Sequence, residues 1–263
     1  MTASSYLRRS IAFALLASTA GGYCAASESN PWGVEFFAGD AVSVRGSLNM
    51  PFVTNLGDLG TLDPSLEGSA LFRGKELHYD DILNPSYTVG TEVSYSANDN
   101  LEGFARLSYS DLNGQSTEFG TLTITDADVT VPVTAHLRDT DSTSLMLGTR
   151  YVFNVHEPWQ PFVGAALGAT RLNDLRAGLT VPNDSVTLSD VRLARASTMF
   201  AQTIEAGIGY SLANFDVRLA IDANHSNGPD SGQDATLQTI GFTRGGGESP
   251  WSFPVTLGAQ YRF

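Results

Sequence analysis

Residues Ser252 to Phe263 alternate without a fault. Phe253, Val255, Leu257, Ala259, Tyr261 and Phe263 share one face. Ser252, Pro254, Thr256, Gly258, Gln260 and Arg262 share the other. A period of two is a strand between two different environments. In water, an exposed apolar stripe on a strand edge invites aggregation. In a bilayer the same stripe faces lipid, and ring closure leaves no edge unpaired. The segment therefore reads as the closing strand of a membrane-spanning β-barrel.

Seven further runs repeat the pattern. Trp32–Val44 puts Trp32, Val34, Phe36 and Ala38 on its apolar face and Glu35 on the other. Pro85–Ala97 sends Tyr87, Val89, Val93 and Tyr95 outward and Glu92 inward. Leu101–Leu112 turns Ala105, Leu107 and Tyr109 outward, with Glu102 and Arg106 inward. Thr143–Phe153 turns Leu145, Leu147, Tyr151 and Phe153 outward, with Arg150 inward. Gln160–Leu172 alternates more weakly. Ser197–Tyr210 holds Glu205 inward, and Phe215–Asn224 holds Asp216, Arg218 and Asp222 inward. Each run is long enough for the 9–11 or so residues that a tilted strand needs to cross hydrocarbon. The total is eight.

The connections sort into two kinds. Ser96–Asn100, Asn154–Trp159 and Ser211–Asn214 are short, whereas Gly46–Asn84, Asn113–Ser142, Asn173–Ala196 and Ser226–Pro250 are long. Long and short alternate strictly. An up-and-down barrel with both termini in the periplasm has this rhythm, with short periplasmic turns and long extracellular loops. Its periplasmic rim would carry Trp32, Tyr95, Tyr151, Phe153, Trp159, Tyr210, Phe215, Tyr261 and Phe263. Its outer rim would carry Tyr87, Tyr109, Phe200, Trp251 and Phe253. Amphipathic rings favour such interface belts.

Ahead of the strands, Arg8 and Arg9 precede an apolar run from Ile11 to Ala17 and then small residues through Ala26. That is the layout of a secretory signal peptide. Residues 1–26 are expected to be a signal and 27–263 one barrel domain. The lone cysteine, Cys24, follows Tyr23, where a lipoprotein signal needs a small side chain, so it is expected to leave with the signal. The formal net charge is −13, and Lys75 is the only lysine among 15 basic residues. Such a chain lacks the basic surface that neutralises nucleic-acid phosphates.

Two segments carry a family resemblance: Pro161-Phe162-Val163-Gly164-Ala165-Ala166-Leu167-Gly168 and the closing Pro254-Val255-Thr256-Leu257-Gly258-Ala259-Gln260-Tyr261-Arg262-Phe263. The chain resembles the small outer-membrane β-barrel superfamily that includes the OmpA-like transmembrane domain and the opacity-protein adhesins. The resemblance implies an all-β, antiparallel up-and-down barrel in the outer membrane of a Gram-negative bacterium. It specifies fold, not activity. The terminal aromatic resembles the signature read by the barrel assembly machinery, and lipids and lipopolysaccharide are the expected surroundings. No second, peptidoglycan-binding domain is expected after Phe263.

Eight strands enclose an interior just wide enough for side chains. The inward charges Glu35, Glu92, Glu102, Glu205, Asp216 and Asp222, with Arg106, Arg150, Arg218 and Arg262, are expected to pair, since an unpaired buried charge is costly. The expectation is a filled lumen rather than a wide pore. About half of the mature chain then lies in outer loops that hold most of its acidity. Rigid scaffolds usually carry function on such loops. Thr121–Thr125 with Val129–Ala135, and Gly178–Val181 with Ser185–Leu188, read as hairpins that extend the wall, each arm too short to span.

Candidate chemistry is thin. Asp126/Asp128 and Asp139/Asp141 could coordinate Ca²⁺ or serve as turn carboxylates, and no full calcium-loop spacing is present. His78, His136, His156 and His225 show no ligand spacing. His225-Ser226 resembles the His and Ser of barrel enzymes that deacylate lipid A, but there one residue separates the pair. Adjacent strand residues point to opposite faces, which parts base from nucleophile. The sequence thus predicts a non-enzymatic barrel without metal or cofactor, meeting an extracellular ligand through acidic loops. The alternatives are a small-solute transporter, for which Gln202, in the outward set of its strand, and Pro254, in the closing strand, hint at a lateral opening, and a lipid A hydrolase.

Overall fold

The computed structural model describes residues 31–58, 69–124, 128–181, 187–212, 215–228 and 248–263. The strands in chain order are β1 (Trp32–Arg45), β2 (Ser47–Asn49), β3 (Phe52–Asp58), β4 (Ser69–Gly74), β5 (Leu77–His78), β6 (Leu83–Ser96), β7 (Leu101–Gly114) and β8 (Ser116–Ile124). They continue with β9 (Val129–Leu137), β10 (Thr140–Val152), β11 (Trp159–Leu172), β12 (Leu175–Thr180), β13 (Thr187–Ala194), β14 (Ser197–Leu212), β15 (Phe215–Ser226) and β16 (Trp251–Arg262). One short helix, α1 (Tyr79–Ile82), precedes β6. The signal segment and the tips at Asp126 and Pro182–Asp184 lie outside the described residues.

Eight strands close a barrel in the order β1-β16-β15-β14-β11-β10-β7-β6, every neighbouring pair antiparallel. These are the eight alternating runs of the sequence. The seam is the pairing of β16 with β1, which runs from Gly33↔Arg262 to Arg45↔Trp251. Alternation decides the facing. Phe36, Leu107, Leu147, Leu167, Ile204, Leu219 and Leu257 are exposed on the outer wall, while Glu35, Glu92, Arg150, Glu205 and Arg218 are buried inside.

The long connections are more ordered than loops. Each sequence-read hairpin is longer than its alternation suggested: β8 pairs with β9, and β12 with β13. A third hairpin, β3–β4, falls in the segment read as a plain loop. The three merge into one six-stranded sheet, β13-β12-β9-β8-β4-β3. Only Gln115 separates β7 from β8, and two residues separate β9 from β10, β11 from β12 and β13 from β14. The barrel wall therefore continues into a cap. Gly46, at φ +111°, turns the chain from β1 into it, a backbone conformation that glycine adopts without a Cβ clash.

The cap has its own apolar core. Leu48, Phe72, Leu77, Ile82, Phe119, Ala135, Leu175, Ala177 and Leu193 are buried together there. Phe72 and Phe119 meet with ring centroids 5.6 Å apart. Short arms that cannot span a bilayer bury their apolar residues against one another instead. The two hairpin extensions read from the sequence are present, and the β3–β4 hairpin and the shared sheet add to them.

Candidate functional site: the lumen and its cap

Strand register sets the lumen charges side by side. Glu92 pairs with Arg106, and Glu102 with Arg150. Two like-charged neighbours also result, Glu35↔Glu92 and Glu205↔Asp222. Like charges directly across a ladder repel, so each pair needs cations from elsewhere in the ring. Arg106 supplies one: its Nε donates to Glu92 Oε2 at 2.8 Å, Nη2 to Glu205 Oε2 at 2.6 Å and Nη1 to Asp222 Oδ2 at 3.1 Å. Arg150 donates to Glu205 at 2.6 Å, Glu92 at 2.9 Å and Glu102 at 3.0 Å. Arg218 donates to Glu102 at 2.8 Å and to Glu35 at 3.2 Å. Nine of the ten sequence-named charges are buried or nearly so; Arg262 is the more exposed one, and it pairs with Asp216 at 2.5 Å near the end of β16.

Aromatic rings fill the spaces between the guanidinium groups. Arg106 lies 5.4 Å from the Phe37 ring and 5.0 Å from Phe104. Arg150 lies 4.7 Å from Phe104 and 4.9 Å from Phe162, and Arg218 lies 5.8 Å from Phe162. Rings and cations thus alternate along the lumen, an arrangement that strengthens as water is excluded. The sequence reading did not place Phe37, Phe104 or Phe162 in the lumen. Their inward parity was the available signal, hidden because an apolar residue on the polar face looks like a lapse in the pattern. Glycines make the room: a Cβ at Gly258 would overlap the Glu35 carboxylate, and one at Gly164 would overlap that of Glu205.

On the cap side of this plug lies a cavity of about 120 Å³. Ser108, Ser144, Thr170, Thr203 and Asn224 line it, with Arg106 and Asp222 among its walls. Hydrogen bonds join several of them, Ser144 to Thr170 at 2.8 Å and Thr203 to Asn224 at 2.6 Å.

The barrel exterior is apolar and ringed by aromatics. At the end where β1 begins and β16 finishes, Trp32 packs on Tyr95 with centroids 5.0 Å apart, Trp159 on Tyr210 at 4.7 Å, Tyr151 on Phe153 at 4.9 Å and Tyr261 on Phe263 at 6.1 Å. At the other end Tyr87 neighbours Tyr109 at 6.3 Å, and Trp251 neighbours Phe253 at 6.4 Å. No helix among the described residues is long and apolar enough to cross a membrane. A closed ladder with charges inside and an apolar belt outside inverts the water-soluble arrangement.

The chain is an eight-stranded membrane-spanning barrel.

No protein-family model matches the chain, and neither does any curated protein. Among solved structures, Neisserial surface protein A is similar at 13% identity, covering 90% of this chain and 100% of that one, with a TM-score of 0.42. Ail, the attachment invasion locus protein of Yersinia pestis, is similar at 12% identity over 90% and 100%, with a TM-score of 0.37. The outer membrane protein OprG from Pseudomonas aeruginosa shares 12% identity over 89% and 97%, with a TM-score of 0.38. The fold assignment rests on the barrel's own strand order.

The remaining candidates are scattered. Asp139 accepts from the Gly114 backbone N–H at 3.0 Å, and Asp141 accepts from the Asn173 amide at 2.9 Å, so both tie the barrel to the cap. Asp174 joins them there: the Ala196 N–H donates to it at 2.7 Å and holds its carboxyl below the usual carboxylate range, with Arg176 assisting at 3.2 Å. His136 bridges Ser116 and Thr180 on the cap sheet at 2.7 and 3.0 Å. His225 pairs with outward Gln202 and stacks on Trp251, centroids 4.5 Å apart. Ser226 pairs with inward Ala201. Base and nucleophile thus lie on opposite faces of β15.

Proposed function

We propose that this protein is a non-enzymatic barrel of the Gram-negative outer membrane that acts as a surface-interaction protein through its cap. In this reading residues 1–26 are a removed signal, both termini are periplasmic, and the cap is extracellular. The β16 strand, ending at Phe263, is the segment that the assembly machinery engages, and lipopolysaccharide surrounds the outer rim. The observation that carries the reading is the contrast between lumen and cap. Ion pairs cross the lumen between opposite walls. The connections at the other end build a six-stranded sheet over a buried core, far more structure than joining strands requires. A rigid platform is what a recognition surface needs.

The test replaces the β8–β9 and β12–β13 hairpins with short turns. The shortened barrel is expected to keep heat-modifiable migration on gels, and cells carrying it to lose binding to host cells or matrix. Unchanged binding by a correctly inserted shortened barrel would refute the reading.

One observation favours a second reading, a transporter of small or apolar solutes. Around Pro254, which has no N–H to give, both ladders of β16 falter. Its register with β1 shifts between Ala41 and Val44, and its pairing with β15 skips from Ile221↔Val255 to Asn224↔Ser252. Protein-dependent solute uptake that is lost on sealing this gap would support it.

A further inference from the structure

The charges of the plug do not balance. Among the described residues, Glu35, Glu92, Glu102, Glu205 and Asp222 form ion pairs only with Arg106, Arg150 and Arg218. With every group ionised, carboxylates outnumber guanidiniums by two. Asp222 is where the excess meets free space. Its Oδ2 accepts from Arg106 at 3.1 Å. Its Oδ1 is buried and has no hydrogen-bond partner among the described residues. The side chain keeps 7% of its exposure and lines the 120 Å³ cavity on the cap side.

Part of that cavity's wall is oxygen, beside Phe37, Met146, Trp251 and the Arg106 guanidinium. Ser108, Ser144, Thr170 and Thr203 bring hydroxyls, and Asn224 an amide. Neutral oxygens beside a carboxylate suit a weakly hydrated cation of single charge. No cluster of three or more His, Cys, Asp or Glu able to hold a metal occurs among the described residues, so the donor set does not suit a divalent ion that demands several carboxylates. Water fits as well, since a cavity of about 120 Å³ is well above the roughly 10–15 Å³ that one molecule needs. Water brings no charge, however, and a buried uncompensated carboxylate is costly.

We propose that Asp222 and the hydroxyl-lined cavity beside it bind one small monovalent cation, an alkali-metal ion or a primary ammonium group. The site is independent of the surface role and uses no residue of the cap sheet. The cation completes the plug, giving the Asp222 carboxylate a second partner opposite Arg106.

The test is amide NMR of the folded protein in micelles, titrated separately with methylammonium, potassium and rubidium chlorides. N-methylglucamine chloride, too bulky for the cavity, controls for ionic strength. Saturable shifts are expected at Ser108, Thr203 and Asn224 with at least one small cation and not with the bulky one. Which small cation acts tells ammonium from metal ion. Asp222→Asn is expected to weaken binding by about tenfold or more. Ser108→Leu, which fills the cavity without touching a carboxylate, is expected to abolish it with migration on gels unchanged. Asp99→Asn, at an exposed turn, leaves it as it was. No saturable shift in the unaltered protein, or undiminished binding in Ser108→Leu, overturns the proposal and leaves a cavity of water beside Asp222.

Discussion

Arg218 on β15 donates two hydrogen bonds to Glu102 on β7, at 2.8 and 3.1 Å, although the two strands stand half-way round the barrel from each other. Arg106 on β7 makes the return crossing to Asp222 on β15 at 3.1 Å. Ion pairs thus span the lumen between opposite walls. Removing one cation from such a network strands its acids. Arg150→Met is expected to lower stability by about 3–5 kcal/mol, because Glu92, Glu102 and Glu205 all lose a partner in a buried setting. Urea unfolding in lipid vesicles measures the loss, and a change below about 1 kcal/mol would mean that the acids are not held this way.

Gly258 and Glu35 compete for one space. Gly258→Ala is expected to cost about 1–3 kcal/mol through overpacking against the Glu35 carboxylate. Glu35→Ala in the same chain is expected to relieve much of that cost. A double-mutant cycle reads the coupling. Strict additivity would show that the two side chains do not meet.

Leu147 on the outer wall and Val53 on the cap are almost equally exposed, at 66% and 64%. Water treats the two alike, whereas a bilayer does not. Leu147→Arg is expected to destabilise the vesicle-inserted protein by about 2–4 kcal/mol. Val53→Arg is expected to change it by less than about 0.5 kcal/mol. Equal effects would contradict the placement of the belt in lipid.

Acid is expected to loosen the junction between barrel and cap. Asp174 is held below the usual carboxylate range by the Ala196 N–H, so it contributes stability above the unfolded value of about 3.9, lost as pH falls through the folded one. Protection of the Ala196 amide, its exchange rate relative to the unfolded chain at the same pH, should be high above that range and fall below it. Asp174→Asn should remove the pH dependence. Protection that ignores pH in the unaltered protein would refute the role.

The strands were legible because two solvents imprint one period. Each residue from Trp32 to Ala38, or from Leu257 to Phe263, meets lipid or lumen by turn, and composition follows. Inward charges were legible for the same reason. Their partners were not, since the stagger of a closed barrel decides that Arg218 reaches Glu102 rather than a ladder neighbour. The cap was half legible. Val129–Ala135 alternates openly, whereas Leu48 stands alone between Ser47 and Asn49 and α1 has only four residues. Elements that short carry too few periods to register, and tertiary packing alone orders them.

The central claim is that the lumen is closed by its own side chains and that function resides at the cap. Single-channel recording of the purified protein in planar bilayers tests it most directly. No large steady conductance is expected from the unaltered protein, and brief openings only when Arg218 and Glu102 are both replaced by serine. A reproducible, porin-sized open channel in the unaltered protein would contradict it.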